Sequence, residues 1–371
     1  MQDPNTEPET RFQQSYRQAS DYTRSVIDDL RNSEMPTTLR RDFRETYDFY
    51  LDDTQRRELA EMGGFKRSLV SAWYLLKGLF LKLTPTRRLF VLIGVVLLWD
   101  GMPSDTLEII VAFFIVLFVL GLELKDKLLA RDELEAGRAV QLALMPSATP
   151  IVAGWDIWMH NKPANDVGGD LIDHIRIEDG RTLITLGDVA GKGLPAALMA
   201  AKLQATIRAI APDDASLASV GLKLNEIFCR DGLPSRFASL VHAELGPHSD
   251  EVRFINAGHM PPLLVRDGRL EEVGRGGPAI GLSLSARFEA QSLRLGPDDV
   301  LLLYSDGVTE ARNEVGRFYG DDRFRDLIRH VHGMSAASIG TRVLRSVEEF
   351  VRSAPQSDDL SLIVIRRESL T

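Results

Sequence analysis

The sequence predicts an α+β protein with a mainly antiparallel sheet, and three observations lead there. From about Ile151 to Arg367, short apolar runs alternate with Gly, Asp and Pro turns. In the middle of that region, strand-like runs follow one another with no helix between them, unlike a doubly wound parallel sheet. Helical stretches with apolar residues three and four apart interrupt the strands.

Taken in chain order, the region before the sheet comes first. Residues 1–84 form a charged, helical stretch, shown by Tyr22 to Leu30 and Arg40 to Leu59 with their three- and four-residue apolar spacing. It carries no recognisable chemistry and reads as an adaptor or packing surface. The opening MQDPNTEPETRF lacks the basic and apolar segments of a secretory signal, so no cleaved targeting peptide is expected.

Residues 85–123 change character. Leu89 to Trp99 and Ile109 to Leu122 contain no charge, and only a short acidic loop with Asp100, Asp105 and Glu108 separates them. Each run is shorter than the ~20 residues that span a bilayer core, which leaves a buried soluble hairpin open as an alternative. Lys77, Lys82, Arg87 and Arg88 precede the pair, and Lys125, Lys127 and Arg131 follow it. By the positive-inside rule, these flanks point to a two-helix transmembrane hairpin with both ends in the cytoplasm and the protein at the cytoplasmic membrane.

Residues 124–147 then read as a charged linker helix. Leu122, Leu129, Ala136 and Ala143 recur every seventh residue, a seam that would pair two copies of the chain, although a single solvated helix reads nearly as well. Pro146 and Pro150 end it. The remaining residues, 148–371, hold the sheet. Strand-like runs are Thr182 to Leu186, Ser239 to Leu245, Val252 to Asn256, Pro262 to Arg266, Val300 to Tyr304 and Leu360 to Ile365, and helical patterns cover Leu194 to Ile210, Ser216 to Phe228, Asp322 to Val331 and Ala336 to Val351.

The 371 residues suit two or three modules, one of them large enough for a real core. A net charge of −9 argues against nucleic-acid binding, which needs a clustered basic surface. The single cysteine, Cys229, excludes an internal disulfide framework.

The stretch GDVAGKG from Gly187 to Gly193 looks like a phosphate-binding loop, yet its spacing is wrong. Gly187 and Gly191 are too close by one residue, and Lys192 is followed by Gly193 rather than Ser or Thr. What remains is Asp188 on a glycine-rich turn after an apolar strand. Three more aspartates stand in similar settings: Asp170 in DVGGDLID, Asp306 in LLLYSDGVTE and Asp358 in SDDLSLIVI. Any one alone reads as a turn. Together, with no thiols and no histidine pair nearby, they make an all-oxygen site for hard cations such as Mg²⁺ or Mn²⁺ and disfavour zinc. Two such ions activate water for attack on a phosphoryl group without a protein nucleophile, which suits a chain with no GxSxG elbow and no Cys-His pair.

The segments NDVGGDLID, GDVAGKGLPAALMAA, INAGHMPPLL, LLLYSDGVTEARN and DDLSLIVI, in this order, resemble the motifs of bacterial SpoIIE/RsbU-type serine phosphatases. These are a branch of the metal-dependent, protein phosphatase 2C-like (PPM) superfamily. AVQLALMP also resembles the linker that leads into such domains.

The resemblance implies an α-β-β-α sandwich of two antiparallel sheets with a two-metal site at one edge. It also implies a protein serine/threonine phosphatase acting on a phosphoprotein, such as a small anti-anti-sigma (STAS-type) factor. Carried over motif by motif, Asp188 would bridge two Mn²⁺ or Mg²⁺ ions, the Val189 carbonyl would be a further ligand, and Asp170, Asp306 and Asp358 would complete the set. Asp188 and Asp306 would be the catalytic pair. Asp359 falls where a direct ligand is less expected, and Ser361 keeps the hydroxyl of the family's Thr. His259 in NAGH reads as chiefly structural, Asp173 as a holder of metal-bound water or a solvated residue, and Lys192 as an exposed loop lysine or a phosphate contact. The alternative to an enzyme is a catalytically silent membrane scaffold that keeps the fold for binding.

Overall fold

A computed structural model of the chain describes residues 51, 55, 58, 59, 62–100, 106–146, 148–214, 216–231, 236–274 and 276–369. The expected helices at Tyr22 to Leu30 and in most of Arg40 to Leu59 lie outside the described residues. The chain divides into two units, Met1–Asp126 and Lys127–Thr371.

The first unit contains α1 (Gly64–Lys82), α2 (Pro85–Asp100) and the start of α3 (Thr106–Leu144). α2 and α3 pack as an antiparallel hairpin. Arg87 bridges Glu123 and Asp126, each at 2.6 Å, and Phe90 meets the edge of Phe118. The expected membrane crossing does not survive, and the placement at the cytoplasmic membrane falls with it. No helix among the described residues is long and apolar enough to cross a membrane. Length is the physical reason: α2 has 16 residues, about 24 Å at 1.5 Å per residue, against a hydrocarbon core of about 30 Å. The apolar run of α3 stops at Leu122, ahead of Glu123, Lys125 and Asp126. The charged linker helix is not separate from this run either, because α3 continues unbroken for 39 residues.

The second unit is a sandwich. One sheet has the order β1-β10-β9-β6-β7 and the other β2-β3-β4-β5-β8. The strands are β1 (Trp155–Lys162), β2 (Asp170–Arg176), β3 (Thr182–Val189), β4 (Ala238–Leu245), β5 (Glu251–Ala257), β6 (Leu263–Arg266), β7 (Arg269–Glu272), β8 (Gln291–Arg294), β9 (Val300–Tyr304) and β10 (Leu360–Arg367). Every pairing between them is antiparallel. Between the sheets lies a core of Ile172, Ile184, Leu186, Val241, Leu301, Leu303 and Ile363. Helices α4 (Leu194–Ile210) and α5 (Leu217–Asp231) cover the β2-β3-β4-β5 face through Leu203, Ile207, Leu224 and Phe228. α7 (Asp321–Ile328) and α8 (Ala336–Val351) cover the other through Phe324, Ile328, Val343 and Val347, with the one-turn α6 (Asp306–Thr309) at their start. The expected α-β-β-α architecture is therefore present.

Local sequence explains the strongest elements. β9 and the centre of β10 are runs of Val, Ile and Leu because the core on one side and helices on the other bury both their faces. α8 starts where the Ser335 hydroxyl accepts the Ser338 N–H, satisfying a donor the first turn leaves free.

Candidate active site

The four aspartates come from both sheets. In the antiparallel register, Asp170 at the start of β2 stands directly opposite Asp188 near the end of β3. From the other sheet, Asp306 follows β9 and opens α6, while Asp358 precedes β10, the neighbour of β9. Strand ends close in space but distant in sequence thus form one edge of the sandwich. All five expected ligands lie on these strand ends, with Val189 next to Asp188 and its carbonyl turned towards Gly169.

Charge is concentrated here against its own repulsion. Burial raises the Asp188 carboxyl to about 6, and the neighbouring Asp306, Asp358 and Asp359 push it the same way. Asp170 is 4% exposed, and burial followed by the charge of Asp188 lifts it well above the carboxylate range. Asp306 is raised by burial and then by Asp358 and Glu310. One oxygen of Asp170, Oδ2, is buried and forms no hydrogen bond among the described residues. A buried carboxylate oxygen left unpaired costs free energy unless something positive meets it. Hard cations fit this donor set of carboxylates and a carbonyl. Among the described residues, no three His, Cys, Asp or Glu side chains converge closely enough to define an ion position. The fit rests on the donor chemistry and the orphaned oxygen.

Asp359 has a different task from its neighbour. Its Oδ1 accepts the Ala164 N–H at 2.7 Å, and its Oδ2 accepts the N–H groups of Gly169 at 2.6 Å and Asp170 at 3.3 Å. Both oxygens are committed to the loop that presents Asp170. Gly168 is required at this crossing, because a Cβ there would fall within 2.5 Å of the same carboxylate.

Lys192 reaches the cluster, with Nζ 2.9 Å from Asp358 Oδ2 and 3.1 Å from the Ser357 carbonyl. It is more than an idle loop lysine, since it offsets part of the acidic charge. Asp173 matches neither of its expected readings. It is 1% exposed and takes a two-pronged contact from Arg208, with both N···O distances 2.8 Å. This ion pair, buried at Asp173 and half-exposed at Arg208, ties β2 to α4, so Asp173 neither faces solvent nor points at the cluster.

His259 joins the two sheets. Its Nδ1 lies 2.8 Å from Ser239 Oγ on β4, its Nε2 lies 3.2 Å from the Tyr304 carbonyl on β9, and burial depresses its pKa to about 4. The Nε2–H therefore donates to the carbonyl and the ring is neutral at pH 7. Asn256 completes the turn, its side chain bonding the backbone N–H and carbonyl of His259.

Two contacts gave no sequence signal of their own. Gln141, near the end of α3, donates Nε2 to the Gly168 carbonyl at 2.7 Å and accepts the Gly168 N–H on Oε1 at 3.1 Å. Arg236 donates to the Ala190 carbonyl at 2.9 Å, beside the Asp188 turn. Only the resemblance of AVQLALMP to a linker hinted at the first.

Known proteins share the sequence and the fold of this region. The profile described as stage II sporulation protein E (SpoIIE) matches residues 178–368. Protein IcfG of Synechocystis is 26% identical over 277 residues, covering 66% of this chain and 43% of IcfG. The phosphoserine phosphatase RsbU of Bacillus subtilis is 25% identical over 240 residues, covering 64% of this chain and 71% of RsbU. The chain thus spans less than half the length of IcfG. Among solved structures, the SiaA-PP2C domain of Pseudomonas aeruginosa superimposes with a TM-score of 0.54 at 24% identity, over 65% of this chain and 98% of that one, a likeness of fold.

Proposed function

We propose that this chain, which belongs to the stage II sporulation protein E (SpoIIE) family, is a protein serine/threonine phosphatase that works with two Mn²⁺ or Mg²⁺ ions. The observation that carries the reading is the buried aspartate cluster at one sandwich edge, with an oxygen of Asp170, Oδ2, that forms no hydrogen bond among the described residues. Asp188, opposite Asp170 in the register and feeling the charges of Asp306 and Asp358, would hold the cations together with Asp170, Asp306, Asp358 and the Val189 carbonyl. Bound ions would supply a water nucleophilic at neutral pH and offset charge growing on the phosphoryl oxygens.

The chain's own residues hold this arrangement. Asp359 fixes the Asp170 loop and Lys192 restrains Asp358. His259 is not the proton donor to the departing serine oxygen, because both its nitrogens are engaged and the ring is neutral. A silent scaffold would have no need of so costly a carboxylate cluster. The substrate class the family resemblance suggests is a phosphorylated STAS-type protein.

Phosphate release from a phosphoserine peptide tests this. The full chain should be active with Mn²⁺ and inactive with EDTA, and Asp306→Asn should lose more than about 100-fold, since even residues behind a metal ligand typically cost 10- to 100-fold. Undiminished activity in EDTA would remove the two-metal reading.

Regulation through the linker helix belongs to the same reading. Gln141 grips Gly168 on both its backbone groups, two residues from Asp170. Exposed Leu129, Ala136 and Ala143 on the same helix offer a pairing seam for a second copy. Gln141→Ala should lower kcat about tenfold with KM little changed, and sedimentation should show a dimer of the full chain. A monomer at all concentrations would remove the pairing, and an unaltered kcat would remove the clasp.

A further inference from the structure

We infer that the protein reads the residues beside its target serine through a second cavity next to the aspartate cluster, and that this cavity selects an acidic flank carrying an apolar side chain. The inference rests on the phosphatase reading above.

The cavity holds about 180 Å³, somewhat more than the engineered core cavity of about 150 Å³ that accepts benzene. Gly307 and Asp358 form part of its wall, so it begins where the cluster ends. An extended peptide advances about 3.3 Å per residue, so a phosphoserine over the cluster would carry its nearest neighbours across this opening. The floor is apolar, built from Ala311, Leu344, Val347, Val351 and Leu360.

The rim is cationic. Lys162, Arg312 and Arg352 all line the cavity, all three are exposed, and among the described residues none forms an ion pair. Against them stand Glu348, the cluster's own Asp358 and, near Arg352, Glu314. In a chain of net charge −9, three exposed cations without a close salt bridge among the described residues, set around an apolar floor, are a local exception. They complement a carboxylate flank. Two of them are held in place. Arg312 stacks on the Phe318 ring with its guanidinium 4.4 Å from the centroid. Arg352 caps α8 at φ 55° and ψ −120°, a strained backbone for a residue with a side chain, which the surrounding structure must enforce.

The test measures binding, so it does not depend on turnover. Two fluorescein-labelled, unphosphorylated serine peptides, one with a Leu-Asp-Asp flank and one with Leu-Lys-Lys, are titrated with the Mn²⁺-loaded full chain and followed by anisotropy. The acidic peptide should bind at least about fivefold tighter, as expected for a few half-exposed charge pairs, and lose that advantage in high salt. In Arg312→Glu/Arg352→Glu the preference should disappear or invert. Equal binding of the two peptides by the unaltered protein, or a preference that the double substitution does not move, would overturn the inference. The unaltered protein alone decides the first of these if the double variant fails to fold. Hydrolysis of para-nitrophenyl phosphate, which has no flank, reports separately on the phosphatase reading.

Discussion

Asp188→Asn is expected to abolish phosphate release while making the metal-free protein more stable at neutral pH. The two effects have one cause. Burial first, and then the charges of Asp306, Asp358 and Asp359, raise the Asp188 carboxyl from 3.8 to about 6 in the folded chain. A folded pKa above the unfolded value means that protonation favours folding. The contribution is present below pH 4 and is lost as the pH climbs through about 6. At pH 7 the ionised carboxylate therefore costs on the order of a few kcal/mol. Asparagine keeps the shape and removes the charge. Melting in EDTA should show the variant more stable than the parent by about 2 to 3 kcal/mol at pH 7, with the gap closing towards pH 4. Mn²⁺ should stabilise the parent strongly and the variant weakly, because an ion bound only by the folded state shifts unfolding by mass action. A variant less stable than the parent in EDTA at pH 7 would show that the cluster is not under electrostatic strain.

Gly307→Ala should have the largest effect on stability of any single methyl group added near the site. A Cβ at this position would fall on the Asp359 carbonyl oxygen and carbon, which are backbone atoms and cannot swing aside. The turn after β9 would have to draw away from β10. Overpacking of a tight backbone crossing costs about 3 kcal/mol. The same displacement separates Asp306 from Asp358, which flank the crossing, and a shift of about 1 Å in a catalytic group can lose on the order of 100-fold in rate. Urea unfolding and phosphate release should therefore fall together. A variant of parental stability would mean that the two segments do not cross as tightly as described.

Much of the sheet was legible in the residues. β3, β4, β5, β6, β9 and β10 are apolar runs that end at Gly, Asp or Asn, and the structure extends them by at most a few residues. β1, β2, β7 and β8 were not legible. β7 and β8 are four-residue edge strands with largely exposed side chains, and β1 carries Asp, His, Asn and Lys because only one neighbour covers it. β2 hides because its Asp170 and Asp173 break the apolar pattern that marks a strand. The four aspartates could be collected from the sequence because each follows or precedes an apolar run. Their meeting at one edge could not, as it depends on how two sheets stack. Asp173 could not be read at all, because its partner Arg208 is 35 residues away on a helix. Hydropathy misled at the paired helices, where apolar character was read correctly and span length decided otherwise.

The position of β10 also governs the order in which the molecule can be assembled. Among the described residues it follows every other strand in sequence, yet it sits inside its sheet, between β1 and β9. Asp359, just before it, grips Gly169 across 190 residues. Until β10 inserts, β1 has no partner and β9 shows a bare apolar edge, open to pairing with a strand from another molecule. Such long-range closure is slow, so a nascent chain would pass through a sticky stage in which one sheet is nearly complete and the other split. The same arrangement means that all four aspartates meet only once β10 is in place, since Asp358 arrives with it.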